Sequence, residues 1–139
     1  MTNTSAVITL EGVEIVNEDS ENVLISVCAD GWSGGGNAAV LKTVDQTLAG
    51  AVKVGSDSTL TLELTNGSVF EGSIDGNISN ASGTVISTEI GSVSVSLDGT
   101  STWTLTEDSY VTEFNGDAAN VIANGYTLYV NGVALTGTK

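Results

Sequence analysis

The 139-residue sequence contains no proline, no histidine and no arginine, and it has one cysteine and three lysines. Without proline, every backbone N–H is free to pair between strands. Without histidine or arginine, nucleophilic triads and His-centred acid–base chemistry in their usual form are excluded. Zinc finds too few ligands in Cys28 alone, so no metal or other cofactor is expected. A lone cysteine forms no intrachain disulfide and tells nothing about redox compartment. Cys28 lies in the apolar run VLISVCA, with no cation nearby in sequence to lower its pKa, and reads as buried filler. Positive charge is confined to Lys42, Lys53 and Lys139 against seventeen acids, a net charge of −14. A phosphate-tracking surface needs several cations, so nucleic acid and anionic membrane are poor partners. No apolar run reaches 18 residues and no basic stretch precedes an apolar one at the start, so neither membrane insertion nor a signal peptide is expected. The opening MTNTS runs straight into a strand pattern, which suggests a segment of a longer chain.

What fills the chain is Thr, Ser, Asn and Gly, with apolar residues at every second position. The runs VITL (7–10), TLTLEL (59–64), VSVSL (93–97) and TWTLT (102–106) each put apolar side chains on one face. Helix signals are weak, the nearest being residues 37–48 and 117–123, and at most one helical turn is expected in either. Turn pairs recur as Asp30-Gly31, Asn66-Gly67, Asp75-Gly76, Asp98-Gly99, Asn115-Gly116, Asn124-Gly125 and Asn131-Gly132. The last is flanked by Leu128-Tyr129-Val130 and Val133-Ala134-Leu135, which predicts a hairpin closing the C-terminal end. Leu64, Ser68 and Phe70 recur 33 residues later as Leu97, Ser101 and Trp103. A unit unable to bury its own apolar face must stack on its neighbour, so Phe70 and Trp103 are expected in one ladder.

The segments QTLAG (46–50), STLTLELTNGSVFEGSI (58–74), STWTLT (101–106) and NGYTLYVNG (124–132) resemble the C-terminal coils of pectate-lyase-like, right-handed parallel β-helix surface proteins of bacteria, often adhesin-like. The resemblance extends over roughly residues 6–135. It implies an all-β fold, a single-stranded right-handed parallel β-helix with a C-terminal hairpin cap, in one domain over residues 1–139. Its motifs describe turns and core positions, so no functional residue carries over. The competing fold is an antiparallel β-sandwich, which shows the same short alternating strands and turn spacing.

The conspicuous loop is Asp30-Gly31-Trp32-Ser33-Gly34-Gly35-Gly36-Asn37, in which an aromatic among glycines can serve as a carbohydrate platform or partner anchor. Asp30, Trp32 and Asn37 are its candidate ligand contacts, although Trp32 can equally fold over the end of the core. Residues 17–22 form the densest oxygen cluster but lack the spacing of an EF-hand loop. The carboxylate pairs Glu11 with Glu14, Glu18 with Asp19 and Glu107 with Asp108 are what seventeen acids produce by chance, and a glycosidase reading is weak. Lyase chemistry on acidic sugars needs cations, and Lys42 and Lys53 are the only internal ones. Alternating threonines such as Thr102, Thr104 and Thr106 raise ice binding, for which ordinary solvent-facing strand chemistry is the better account.

The expectation is a non-catalytic structural or adhesive module of an extracellular, cell-surface protein, or a glycan- or protein-receptor domain using the Trp32 loop. Its expected partners are neighbouring coils of the parent chain, or a second copy joined through the N-terminal edge near residues 6–15, or a host glycan or protein.

Overall fold

Strands form where apolar and hydroxyl-bearing residues alternate, because a pleated ladder sends successive side chains to opposite faces. The computed structural model describes residues 5–18, 22–28, 37–79, 85–87 and 89–139. Within them the chain makes successive passes of short strands. The first pass contains β1 (Ser5–Glu11) and β2 (Val23–Val27). The second contains β3 (Ala38–Val44), β4 (Thr47–Ala49) and β5 (Ala51–Val54), and the third β6 (Thr59–Thr65), β7 (Val69–Gly72) and β8 (Ile74–Asp75). An excursion then carries the antiparallel pair β9 (Ile78–Ser79) and β10 (Val85–Ser87). The fourth pass holds β11 (Ser92–Leu97), β12 (Thr102–Leu105) and β13 (Ser109–Val111). The fifth holds β14 (Glu113–Asn115), a 3-10 turn at Ala118–Asn120, β15 (Val121–Ile122), β16 (Leu128–Val130) and β17 (Val133–Ala134).

Successive passes pair in parallel. One five-stranded sheet has the order β1-β3-β6-β11-β14, a four-stranded sheet runs β15-β12-β7-β4, and β2-β5-β8 and β13-β16-β17 make the remaining ladders. Among the described residues only β9 with β10, β16 with β17 and the isolated bridge between Gly55 and Ile90 are antiparallel. Stacked parallel sheets cannot come from an antiparallel sandwich, so the all-β architecture is of the parallel kind.

The predicted pairing of Phe70 with Trp103 is present, and the two rings stack at 5.5 Å between centroids and 22° between planes. Leu64 likewise lies beside Leu97. The spacing of 33 recurs between β1 and β3, where Ser5 lies beside Ala38, but it is not a constant repeat length. Ala38 lies beside Thr59, 21 residues on, Leu48 beside Phe70, 22 on, and Trp103 beside Val121, 18 on. The excursion through β9 and β10 lengthens the third pass and produces the longer step.

Inward positions stack on like positions, as in Ala39-Leu60-Val93, Leu41-Leu62-Val95 and Leu48-Phe70-Trp103-Val121, all buried. The Trp103 indole N–H donates to the Gly72 carbonyl at 3.0 Å. Gly72 has to be glycine, because a Cβ there would lie 2.0 Å from the Gly50 carbonyl oxygen. At the bends between ladders, buried polar side chains take up backbone groups that the turns leave unpaired. Ser68 accepts from the Gln46 N–H at 3.1 Å and donates to the Thr65 carbonyl at 2.7 Å, and the Ser109 hydroxyl accepts from the Ile74 N–H at 3.0 Å.

The two weak helix candidates resolve differently. Residues 38–44 are the strand β3, paired on both sides, so cross-strand packing overrides whatever helical tendency 37–48 has. In 117–123 a single 3-10 turn forms, capped by Asp117, whose carboxylate accepts from the Ala119 N–H at 2.9 Å. The predicted C-terminal hairpin is present: Val130 pairs with Val133, and Asn131 and Gly132 both have positive φ, as this two-residue turn requires.

Candidate functional site

The N-terminal end of the stack has the most unusual surface. β1 terminates its sheet and among the described residues pairs only with β3, so one edge of its backbone faces outward. Its inward positions Ala6, Ile8 and Leu10 sit over Ala39, Leu41 and Thr43, which are buried, yet Ile8 itself is 37 % exposed because no strand lies above it. Val13 and Ile15 are 49 % and 39 % exposed. Segment 13–16 passes the edge of β4 without forming a strand there. The Gln46 side chain ties it down, accepting from the Val13 N–H at 2.8 Å and donating to the Val13 carbonyl at 2.6 Å. A half-open cleft of about 420 Å³ lies between, lined by Val13, Glu14, Ile15, Asn17, Asn22, Thr47 and Ala49. Apolar residues beside an unpaired strand edge are a template for adding another strand.

At the C-terminal end the chain's own tail covers β15 and β16, while β14 ends its sheet beside β11. The Leu135 N–H donates to the Leu128 carbonyl at 2.8 Å, the Lys139 N–H to the Val121 carbonyl at 2.9 Å, and the Ala123 N–H to the Lys139 carbonyl at 2.7 Å. The last residues thus pair with β15 and β16, and Leu135 packs on the core.

Elsewhere the polar features serve the chain itself. The Asp98 carboxylate accepts from the Asn66 N–H at 2.9 Å and from both the hydroxyl and the N–H of Thr100, at 2.7 and 3.0 Å. These bonds, the Asn66 N–H foremost, hold its carboxyl well below the usual carboxylate range. Asp98 thereby staples the Asn66-Gly67 turn to the turn one pass later, helped by the Gly67 N–H donating to the Thr100 hydroxyl at 2.8 Å. A shallow groove of about 340 Å³ beside it is lined by Glu63, Ser96, Asp98 and Asn115 among others. Lys53 pairs with both carboxylate oxygens of the buried Asp75, at 3.0 and 2.8 Å, and the Asn77 N–H adds a third bond to that carboxylate. Tyr110 and Tyr129, neighbours in register on β13 and β16, stack at 5.2 Å and 8°.

Of the loop residues singled out in the sequence, Asp30 and Trp32 lie outside the described residues. Asn37 is buried: its side-chain amide donates to the Cys28 carbonyl and its N–H to the Ser58 hydroxyl at 3.3 Å. The pair Glu107 and Asp108 is exposed, and Asp108 accepts from the Thr127 N–H at 2.9 Å, a turn bond. The outward threonines form no regular array: Lys42, Glu63, Ser96 and Asn115 follow one another across the five-stranded sheet, and Glu71 lies beside Thr104 on the other. Among the described residues no group of three or more His, Cys, Asp or Glu is arranged to hold a metal, and no helix is long and apolar enough to cross a membrane. Sequence reasoning missed Gln46, Asp98 and the Lys53–Asp75 pair, each of which acts across passes that only the fold brings together. A polar residue just before an alternating strand, as Gln46 stands before Thr47-Leu48-Ala49, is the one signal that could have pointed to the first of them. No family model, curated protein or solved structure matches this chain.

Proposed function

We propose that the chain is a structural or adhesive module of a bacterial extracellular surface protein, folded as a single-stranded right-handed parallel β-helix with a C-terminal hairpin cap. The observation that carries this reading is the run of parallel ladders in register, ending in a strand edge at one end and a folded-back tail at the other. Parallel strands joined by crossovers take the right-handed sense in nearly all folds, which supports that hand. A stack whose tail covers β15 and β16 and whose β1 edge is open suits a spacer that joins neighbouring coils or another copy through that edge. The outer faces, rich in hydroxyls and acids, suit a hydrated extracellular surface that resists non-specific association. A host glycan or protein is the remaining partner class, met by those outer faces.

Membrane-impermeant biotinylation of Lys42 and Lys139 on intact cells of the source organism tests the assignment. Labelling of the chain without lysis is the expected result. Labelling that appears only after lysis would contradict it.

A further inference from the structure

The open N-terminal edge is self-complementary, and we propose that it joins two copies of the chain by antiparallel pairing of β1 with β1 about a two-fold axis at Ile8. The inference rests on the β-helix reading above and names the partner of its open end.

β1 runs Ser5–Glu11, so Ile8 is its central residue. Antiparallel pairing about that centre sets Ile8 opposite Ile8, Ala6 opposite Leu10, Val7 opposite Thr9 and Ser5 opposite Glu11 of the other copy. Directly opposite residues in such a pair share a face. Ala6, Ile8 and Leu10 all face inward over Ala39, Leu41 and Thr43. The dimer would therefore continue one interior across the junction, with a small residue against a large one on either side of the central isoleucines. On the outer face, Val7 meets Thr9, two β-branched side chains of nearly equal shape. Charge agrees with this register. Glu11 is the only charged residue of β1, and it meets Ser5, a hydrogen-bond donor, so no carboxylate lies opposite another.

The chain's own tail pairs with β15 and β16, whereas β14, at the far end of the five-stranded sheet, pairs only with β11 among the described residues, so the choice of β1 rests on its self-complementary register. An isologous β1–β1 contact closes at two copies. The five-stranded sheet ending at β1 becomes one continuous ten-stranded sheet. At roughly 4.8 Å per pass the assembly is about 48 Å long, twice the height of one copy.

Cysteine cross-linking in a Cys28→Ser background tests the register, since opposite Cα atoms in an antiparallel pair lie at about 4.5–5.5 Å, within disulfide reach. Under mild oxidant, Ile8→Cys is expected to give a covalent homodimer. Ser5→Cys and Glu11→Cys are expected to cross-link when mixed and neither to do so alone, because two Ser5 residues would lie about 20 Å apart. Without any cysteine, Ile8→Lys should raise the dimer dissociation constant at least ~10-fold by placing two ammonium groups at the axis. A monomer at every concentration, or Ser5→Cys cross-linking to itself, would overturn the proposal. An intramolecular Thr61→Cys/Ser94→Cys disulfide, measured in parallel, reports the stacked fold independently. Its formation without the Ile8 cross-link refutes the dimer alone, and its failure refutes the β-helix reading beneath it.

Discussion

At the C-terminal end of the stack, Lys139 pairs with Val121 and Ala123, and Leu135 with Leu128. At the N-terminal end, β1 has a partner on one side, and the segment that follows is tied down by the Gly12 N–H donating to the Val44 carbonyl, by the Gln46 side chain at Val13 and by the Asn17 amide donating to the Val23 carbonyl. Both ends are made from short alternating strands of similar composition. The difference lies in where the neighbouring chain goes: Asn131-Gly132 reverses it over the last pass, whereas segment 13–16 runs alongside β4 without entering a ladder. A parallel stack has no intrinsic way to finish, so each end needs a separate device. Leu128 and Val121 are accordingly buried, while Ile8 and Val13 remain partly in water. Local stability should follow the same gradient, lowest at the first pass.

The largest effects are expected where both ends are out of reach. Trp103→Ala removes a fully buried ring from the middle of the Leu48-Phe70-Trp103-Val121 stack and leaves the Gly72 carbonyl without its indole donor, and should cost about 3–5 kcal/mol. Chemical denaturation measures it, and near-native stability would break the stacking account. At the ends, Leu128→Ala should cost about 2–5 kcal/mol, and Ile8→Ala distinctly less, because Ile8 already contacts water. Equal losses would remove the contrast between capped and open ends.

Removing residues 133–139 sharpens the contrast in another way. It uncovers the edges of β15 and β16, so the molecule then has two sticky ends. Light scattering should show open-ended growth in place of a closed species, and a particle of unchanged size would show that the tail is no cap.

Asp98 supplies a pH test. Its carboxyl is held low in the folded chain, so its contribution to stability is fully present above the ordinary carboxylate value of about 3.9 and is lost as pH falls below that toward its folded value. The stability difference between wild type and Asp98→Asn, measured by urea titration, should therefore shrink from pH 5 to pH 2. A difference that stayed constant or grew would contradict the turn staple. The smallest expected contrast is between two buried serines at equivalent bends. Ser68 bonds to Gln46 and Thr65, and its replacement by Ala should cost about 1–3 kcal/mol, since the Gln46 N–H is left without a partner. The Ser101 hydroxyl is buried without a hydrogen bond of normal geometry and makes only a weak contact with the Asp98 carboxylate, so Ser101→Ala should cost clearly less than Ser68→Ala.

Much of the interior was legible in the sequence, because period-two alternation identified inward residues such as Leu60, Leu62 and Leu64 whatever their partners. The repeated Leu-Ser-aromatic spacing also identified which residues stack. It misjudged the period, since the copies it matched flank the pass enlarged by β9 and β10, and the ordinary passes share too little sequence to be seen as repeats. Of the seven turn pairs, Asn66-Gly67, Asn124-Gly125 and Asn131-Gly132 take positive φ at both residues. Asp98-Gly99 takes positive φ at neither, and the Asp98 side chain serves there as a hydrogen-bond acceptor. The candidate site was legible only as an uncovered first strand. Its other wall depends on Gln46 reaching Val13 across 33 residues, a bond that no local pattern encodes.

The central claim is that consecutive passes stack in parallel and in register, and the outward pair Thr61 and Ser94 tests it most directly. In a Cys28→Ser background, Thr61→Cys/Ser94→Cys places two thiols on Cα atoms about 4.8 Å apart, the spacing of adjacent strands and within disulfide range. Mass spectrometry after mild oxidation should find an intramolecular disulfide in most molecules, while the out-of-register pair Thr59→Cys/Ser96→Cys remains reduced. Free thiols in the first variant, or equal oxidation of both, would contradict the parallel stack.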